Sequence, residues 1–248
     1  MKLLLAALMF FTRLPLWKIA NVPSSYFSRV VEMWSLVGWL TGGVAALVLW
    51  AAAHVFPLPI AVILAIIARV LLTGALHEDG LADFCDGMGG GTSRERILAI
   101  MKDSHIGTYG VLGLILYFLL LAMAWMSLPM PLLCFVIIAG DAWSKFCSAQ
   151  IINVLPYARK VEEAKCQVVY VRFTTPTWIL ALIAGALPAA LLPCPLWWAY
   201  LAPAFAASLL FALMKRKIGG YTGDCCGACF LISELTFYLT VVAICNCI

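Results

Sequence analysis

The sequence is short of charge. Only 11% of its 248 residues are Asp, Glu, Lys or Arg, against roughly 25% in soluble globular domains. Mean hydropathy is +1.03, and several apolar runs reach about 18 residues, enough to cross ~30 Å of hydrocarbon. A soluble domain is thereby excluded. A dense basic patch is also missing, and the net charge is only +4, so no nucleic-acid partner is expected. The apolar N-terminus, MKLLLAALMFFTRLPLW, imitates a secretory signal. It lacks the small-x-small cleavage site, because Phe10-Phe11-Thr12-Arg13 stands there. Residues 1–17 therefore read as an interfacial or re-entrant helix. A second cysteine pair and a flanking histidine are absent around CCGAC at 225–229, which argues against zinc. Most of the ten cysteines sit in apolar runs, where a thiol behaves as a small hydrophobe.

What is present is a set of apolar spans, at about 32–54, 58–76, 110–128, 131–152, 177–193, 196–214 and 227–248. The expected fold is all-α, a polytopic membrane helical bundle of about seven transmembrane helices in one domain, 1–248. The links near 55–57, 129–130 and 194–195 are short and uncharged, whereas 1–31, 77–109, 153–176 and 215–226 are long. Nearly every cation lies in the long segments, Lys160, Lys165 and Lys215 to Lys217 among them. Lys145 lies near the inner end of its span and Arg69 inside one. By the positive-inside rule the long segments are cytoplasmic, with the N-terminus inside and the C-terminus outside. The cell inner membrane is the expected location. All twelve acids fall in those segments or in inner halves of spans. A transporter would hold its site near mid-membrane, in broken helices. Neither feature is expected here, and one-sided polarity favours an enzyme at the cytoplasmic surface.

The stretch HEDGLADFCDG, 77–87, holds a third of the acids. Asp79, Asp83 and Asp86 are spaced i, i+4, i+7 on one helix face, where like charges repel unless a cation joins them. Oxygen ligands without histidine point to a hard ion, Mg²⁺ with Mn²⁺ as the alternative, retaining waters and binding substrate phosphates. Gly80, Gly87 and Gly89 to Gly91 would let backbone approach a ligand. In KDSHIGTYG, 102–110, Lys102 is a phosphate-binding candidate and Asp103 a further metal ligand. GGYTGDCCGA, 219–228, sets Asp224 among glycines before the last span. Convergence of these three segments would supply the apparatus of phosphoryl-type transfer. His77 and His105 flank two of them, and each reads as an interfacial residue rather than a base.

The chain resembles the cobalamin synthase family, the adenosylcobinamide-GDP ribazoletransferases. The likeness runs through FFTRLP at 10–15, Glu32 with VG at 37–38, HEDGLADFCDG, RILAIMKDSHIGTYG at 96–110, PYAR at 156–159 and GGYTGD–GA at 219–228. The resemblance implies an integral membrane enzyme that joins adenosylcobinamide-GDP to α-ribazole or its 5′-phosphate, releases GMP and requires Mg²⁺. Other cobalamin-assembly enzymes, or a second copy of the chain, are further partners it allows, beside the lipid bilayer. It implies Asp79, Asp83, Asp86 and Asp103 as metal ligands and Asp83, Asp86, Asp103 and Asp224 as catalytic acids. Glu78 matches at a position that varies. Lys102, Arg159, Thr222 and Gly223 become the substrate-phosphate contacts. The chain departs from the family pattern at Lys145, at Leu231 and at Glu162-Glu163. DxxDG at 83–87 also resembles the CDP-alcohol phosphotransferases, but GMGGGTSRER follows where their motif continues differently. Two further expectations are testable on a structure. Arg69 and Asp141 should pair directly or through Glu32, because unpaired charges in a membrane are costly. Asp83→Asn or Asp86→Asn should abolish turnover.

Overall fold

A computed structural model describes residues 1–159 and 169–247. Lys160, Glu162, Glu163, Lys165 and Cys166 lie outside the described residues. The described chain is 80% helical and has no strand. The helices are α1 (Lys2–Phe11), α2 (Trp34–Ala52), α3 (Leu58–Thr73), α4 (Leu76–Gly90), α5 (Arg94–Ile100), α6 (Thr108–Met126), α7 (Met130–Ala149), α8 (Ile151–Val154), α9 (Thr175–Ala186), α10 (Leu201–Ile218) and α11 (Gly223–Cys247).

Five segments are long and apolar enough to cross a membrane: Ser24–Ala52, Thr108–Met126, Met130–Val154, Cys194–Ile218 and Gly223–Cys247. A sixth is counted only if α3 and α4, bent by 90°, form one broken span. The seven expected spans are thus not all reproduced. α3 has 16 residues, about 24 Å at ~1.5 Å each, and ends where Gly74 and Ala75 both turn left-handed (φ 67° and 57°). The run at 177–193 is a 12-residue helix followed by a 3₁₀ turn over Leu187–Leu191. α1, with 10 residues, is about 15 Å long and too short to span.

The core is closed by small residues and by paired charges. α2 crosses α7 at Gly38, where an added Cβ would lie 2.6 Å from the Ala142 backbone. Close approach of this kind is how helices associate without a hydrophobic drive between them. The expected Arg69–Asp141 pair does not form. Arg69 donates to Glu234 at 2.7 Å and to the Tyr117 hydroxyl at 2.7 Å, and Tyr117 in turn donates to Glu234. Asp141 pairs with Lys145, one turn along α7, and accepts from Thr41 at 2.9 Å. Glu32 is held by Arg29 at 2.7 Å. Glu32, Asp141 and Glu234 thus each have a base, on the same helix turn or on another helix. The structure also carries a broken helix pair, α3 with α4, which was not expected from the sequence. The charges close on one another.

Candidate active site

The last turn of α10 ends on Gly219, whose left-handed backbone (φ 72°) reverses the chain. Only glycine enters that region without cost. The following residues run beside PYAR in an isolated parallel bridge, Tyr157 with Tyr221. Tyr221 N–H donates to the Pro156 carbonyl at 2.9 Å, and Ala158 N–H to the Tyr221 carbonyl at 2.8 Å. Arg94, at the head of α5, ties both segments down, donating to the Ile218 carbonyl and the Ala158 carbonyl at 2.8 Å each. This stitching carries Arg159, 61 residues beyond α5's Leu98 in the chain, to the start of α11.

α4 crosses α11 at a point without side chains. A Cβ on Gly80 would lie 3.0 Å from the Asp224 carbonyl oxygen, and one on Gly227 3.0 Å from that of His77. The crossing brings Asp79 and Asp224 into the lining of one cleft. Its empty volume, open mouth included, is ≈ 840 Å³. Arg159, Thr222 and Gly223 line the same cleft. Asp79 is exposed there, while Asp224 and Thr222 are buried. Arg159 reaches Asp224 at 4.0 Å, a long ion pair, and donates to the Leu98 carbonyl at 3.1 Å. Its Nε is buried and has no hydrogen-bond partner among the described residues. α11 begins at Gly223, so the positive end of its dipole opens on the cleft. Nothing lies within 4 Å of where a Gly223 Cβ would stand. An arginine with an unused N–H beside a helix N-terminus is suited to a phosphate oxygen.

The other predicted residues lie elsewhere. Asp86 does not line the cleft. Its two carboxylate oxygens accept the Gly107 and Gly110 N–H groups at 2.7 and 2.8 Å, capping α6. Those bonds tie 77–87 to the segment 102–110. Asp83 sits half-buried one turn beyond Asp79. Asp103 is exposed, accepts the His105 backbone N–H at 3.0 Å and faces that ring at 2.7 Å. These bonds hold its carboxyl below the usual aspartate range. Lys102 lines a second open cleft that shares Tyr157 and Arg159 with the first. Gly87, Gly89 and Gly91 face Met101, Tyr109 and Ile97, so they seat α5 and α6 rather than a ligand. The described cysteines are all free.

Among the described residues, no three His, Cys, Asp or Glu side chains form a ready metal-binding group. Two carboxylates lining one open cleft are nevertheless a donor set suited to Mg²⁺, which keeps waters and completes its shell with substrate phosphate. Asp79 and Asp224 fit it.

Aromatic rings make up the other half of the cleft, including Phe10, Phe11, Trp34, Tyr157 and Tyr170, with His77 among them. Hydropathy and motif spacing gave no sign of this wall. FFTRLP and PYAR, quoted for the family likeness, contribute three of its rings.

A helical membrane protein whose cleft joins two acids, an arginine and a helix N-terminus belongs to the class built to handle phosphate esters. The chain is a member of the cobalamin-5-phosphate synthase family, whose model matches residues 3–242. An adenosylcobinamide-GDP ribazoletransferase of Leptothrix cholodnii is 40% identical, covering 96% of this chain and 94% of its own. One from Shewanella amazonensis is also 40% identical over 98% of this chain and 95% of its own, and one from Vibrio parahaemolyticus 34% over 98% and 92%. No solved structure matches.

Proposed function

We propose that the protein is an adenosylcobinamide-GDP ribazoletransferase that works with Mg²⁺ at the cytoplasmic face of the cell membrane. A ribose hydroxyl of α-ribazole, or of its 5′-phosphate, attacks the phosphorus bonded to the cobinamide arm. The new oxygen–phosphorus bond forms as the bond to the GMP oxygen breaks, GMP leaves with its phosphate, and the hydroxyl proton passes to a carboxylate of the cleft. The product is adenosylcobalamin or its 5′-phosphate.

The observation that carries this reading is the convergence of Asp79, Asp224, Arg159 and the α11 N-terminus on one cleft. Asp79 and Asp224, with Asp83 a turn away, would hold the ion, which neutralises the diphosphate when bound. Arg159 and Gly223 hold the transferred phosphate, and Thr222 braces Asp224 from 3.4 Å. Lys102, which lines the neighbouring cleft with Arg159, would hold a second phosphate such as that of the departing nucleotide. Asp86 fixes the α6 end of the loop carrying Lys102 and Asp103. The clustering of cations in the long segments supports the cytoplasmic side.

Membranes containing the protein, incubated with adenosylcobinamide-GDP and α-ribazole, are expected to release GMP with Mg²⁺ and to stop on chelation. Absence of GMP at saturating substrates and Mg²⁺ would contradict the assignment.

A further inference from the structure

We propose that the aromatic half of the cleft seats the flat heteroaromatic base of the riboside substrate, with Trp34 Nε1 and His77 Nε2 reading its edge. The inference rests on the reaction proposed above and names the subsite for one of its two substrates. Phe11, Trp34 and His77 come from α1, α2 and α4 yet stand nearly parallel. Centroids are 5.2 Å apart at 13° for Phe11 and Trp34, and 5.6 Å at 25° for Trp34 and His77. Phe230 of α11 closes edge-on to His77 at 4.9 Å. Every ring in this array is under 5% exposed, so its position is fixed before any ligand arrives. Phe10 and Tyr170, edge to face at 6.2 Å, line the cleft as well.

The rings alone would be ordinary packing. The independent observation is that Trp34 Nε1 and His77 Nε2, both on residues lining the cleft, are buried without a hydrogen-bond partner among the described residues. A buried indole N–H is normally paired, because leaving it unmade carries the full cost of its desolvation. Two such nitrogens in one aromatic wall mark a place where a ligand supplies the partners.

The chemistry of the wall selects between the two bases in the reaction. Guanine presents an amide edge, an exocyclic amine and ring acceptors, all of which need partners when buried. The aromatic wall offers two unpaired ring nitrogens amid apolar surface. A benzimidazole N-riboside has one unsubstituted ring nitrogen, an acceptor, and an otherwise apolar rim. The indole N–H is a donor only and matches that acceptor. The other half of the cleft holds Arg159 and Asp224. A base in the aromatic half therefore sets its ribose toward the phosphate-binding half.

The test compares Trp34→Phe, which keeps a ring and removes the N–H, and Phe11→Leu, which removes a stacking face, with wild type. Two quantities are read on purified protein in detergent: KM for each substrate in GMP release, and equilibrium binding of radiolabelled benzimidazole riboside alone. Trp34→Phe is expected to raise KM and Kd for the riboside about tenfold, as loss of one buried donor–acceptor pair predicts. KM for adenosylcobinamide-GDP should move less than about twofold. Phe11→Leu should weaken the riboside by a similar factor. A rise confined to KM for adenosylcobinamide-GDP, or no change for either substrate, overturns the subsite while leaving the reaction intact. Riboside binding that falls in both variants, in a wild type that releases no GMP, supports the subsite and overturns the reaction.

Discussion

Two polar regions lie within this bundle and differ in one respect. In the core, Arg69, Glu234 and Tyr117 satisfy one another, as do Lys145, Asp141 and Thr41. In the cleft, Asp79 is exposed and Arg159 Nε, Trp34 Nε1 and His77 Nε2 lack partners among the described residues. Both regions place charge in an apolar protein, where an unpaired charge is expensive. The closed set braces helices, and the open set is the proposed ligand site. The presence of a charge did not separate bracing from function. Whether its hydrogen bonds were already used did.

That contrast can be broken from either side, and the largest effect is expected in the cleft. Asp79→Asn or Asp224→Asn should lower kcat by about 10²–10³-fold, the scale of losing one charge-stabilising group in an active site. Membrane insertion and melting temperature should stay near wild type. Activity within tenfold of wild type would remove that residue from the site.

In the core the effect should fall on stability. Arg69→Met leaves Glu234 buried without its base and should cost about 3–5 kcal/mol, the range for breaking one side of a buried pair. The Arg69→Met, Glu234→Met double variant should recover most of the loss in a thermal melt. Additive losses would show that the two side chains do not act as a pair.

The smallest effect sharpens the boundary between the regions. Asp86 is as acidic as its neighbours, yet both its oxygens serve the α6 cap. Asp86→Asn retains one acceptor and should cost about 1 kcal/mol of stability, with less than about tenfold loss of activity. Abolished turnover at unchanged stability would restore Asp86 to the metal site, as its spacing with Asp79 and Asp83 first implied.

Much of the site was legible in the sequence because its signals are local. The 77–87 helix, the acid at the head of the last helix and Arg159 within PYAR are short-range features, and these three needed only to meet. What was not legible depends on distant partners or on backbone turns. Arg69 and Glu234 are 165 positions apart, and no spacing rule pairs them. Asp86 lies on the predicted acidic face, but its partners are backbone N–H groups 21 and 24 residues on. The run at 58–76 is apolar apart from Arg69 and Thr73, so hydropathy does not register the bend after Thr73, where an alanine adopts a left-handed backbone. The aromatic wall was invisible for the same reason. Phe11 and Trp34 look like any apolar residues of a helix until the fold stacks them with His77.

The central claim is that α4 and α11 contribute carboxylates to a single ion. Electron paramagnetic resonance of Mn²⁺ bound to the purified protein with adenosylcobinamide-GDP tests it directly. Asp79→Asn and Asp224→Asn should each weaken Mn²⁺ binding, and the two together should weaken it little beyond the stronger single change. Unaltered Mn²⁺ affinity in either single variant would show that the two helices do not share the ion.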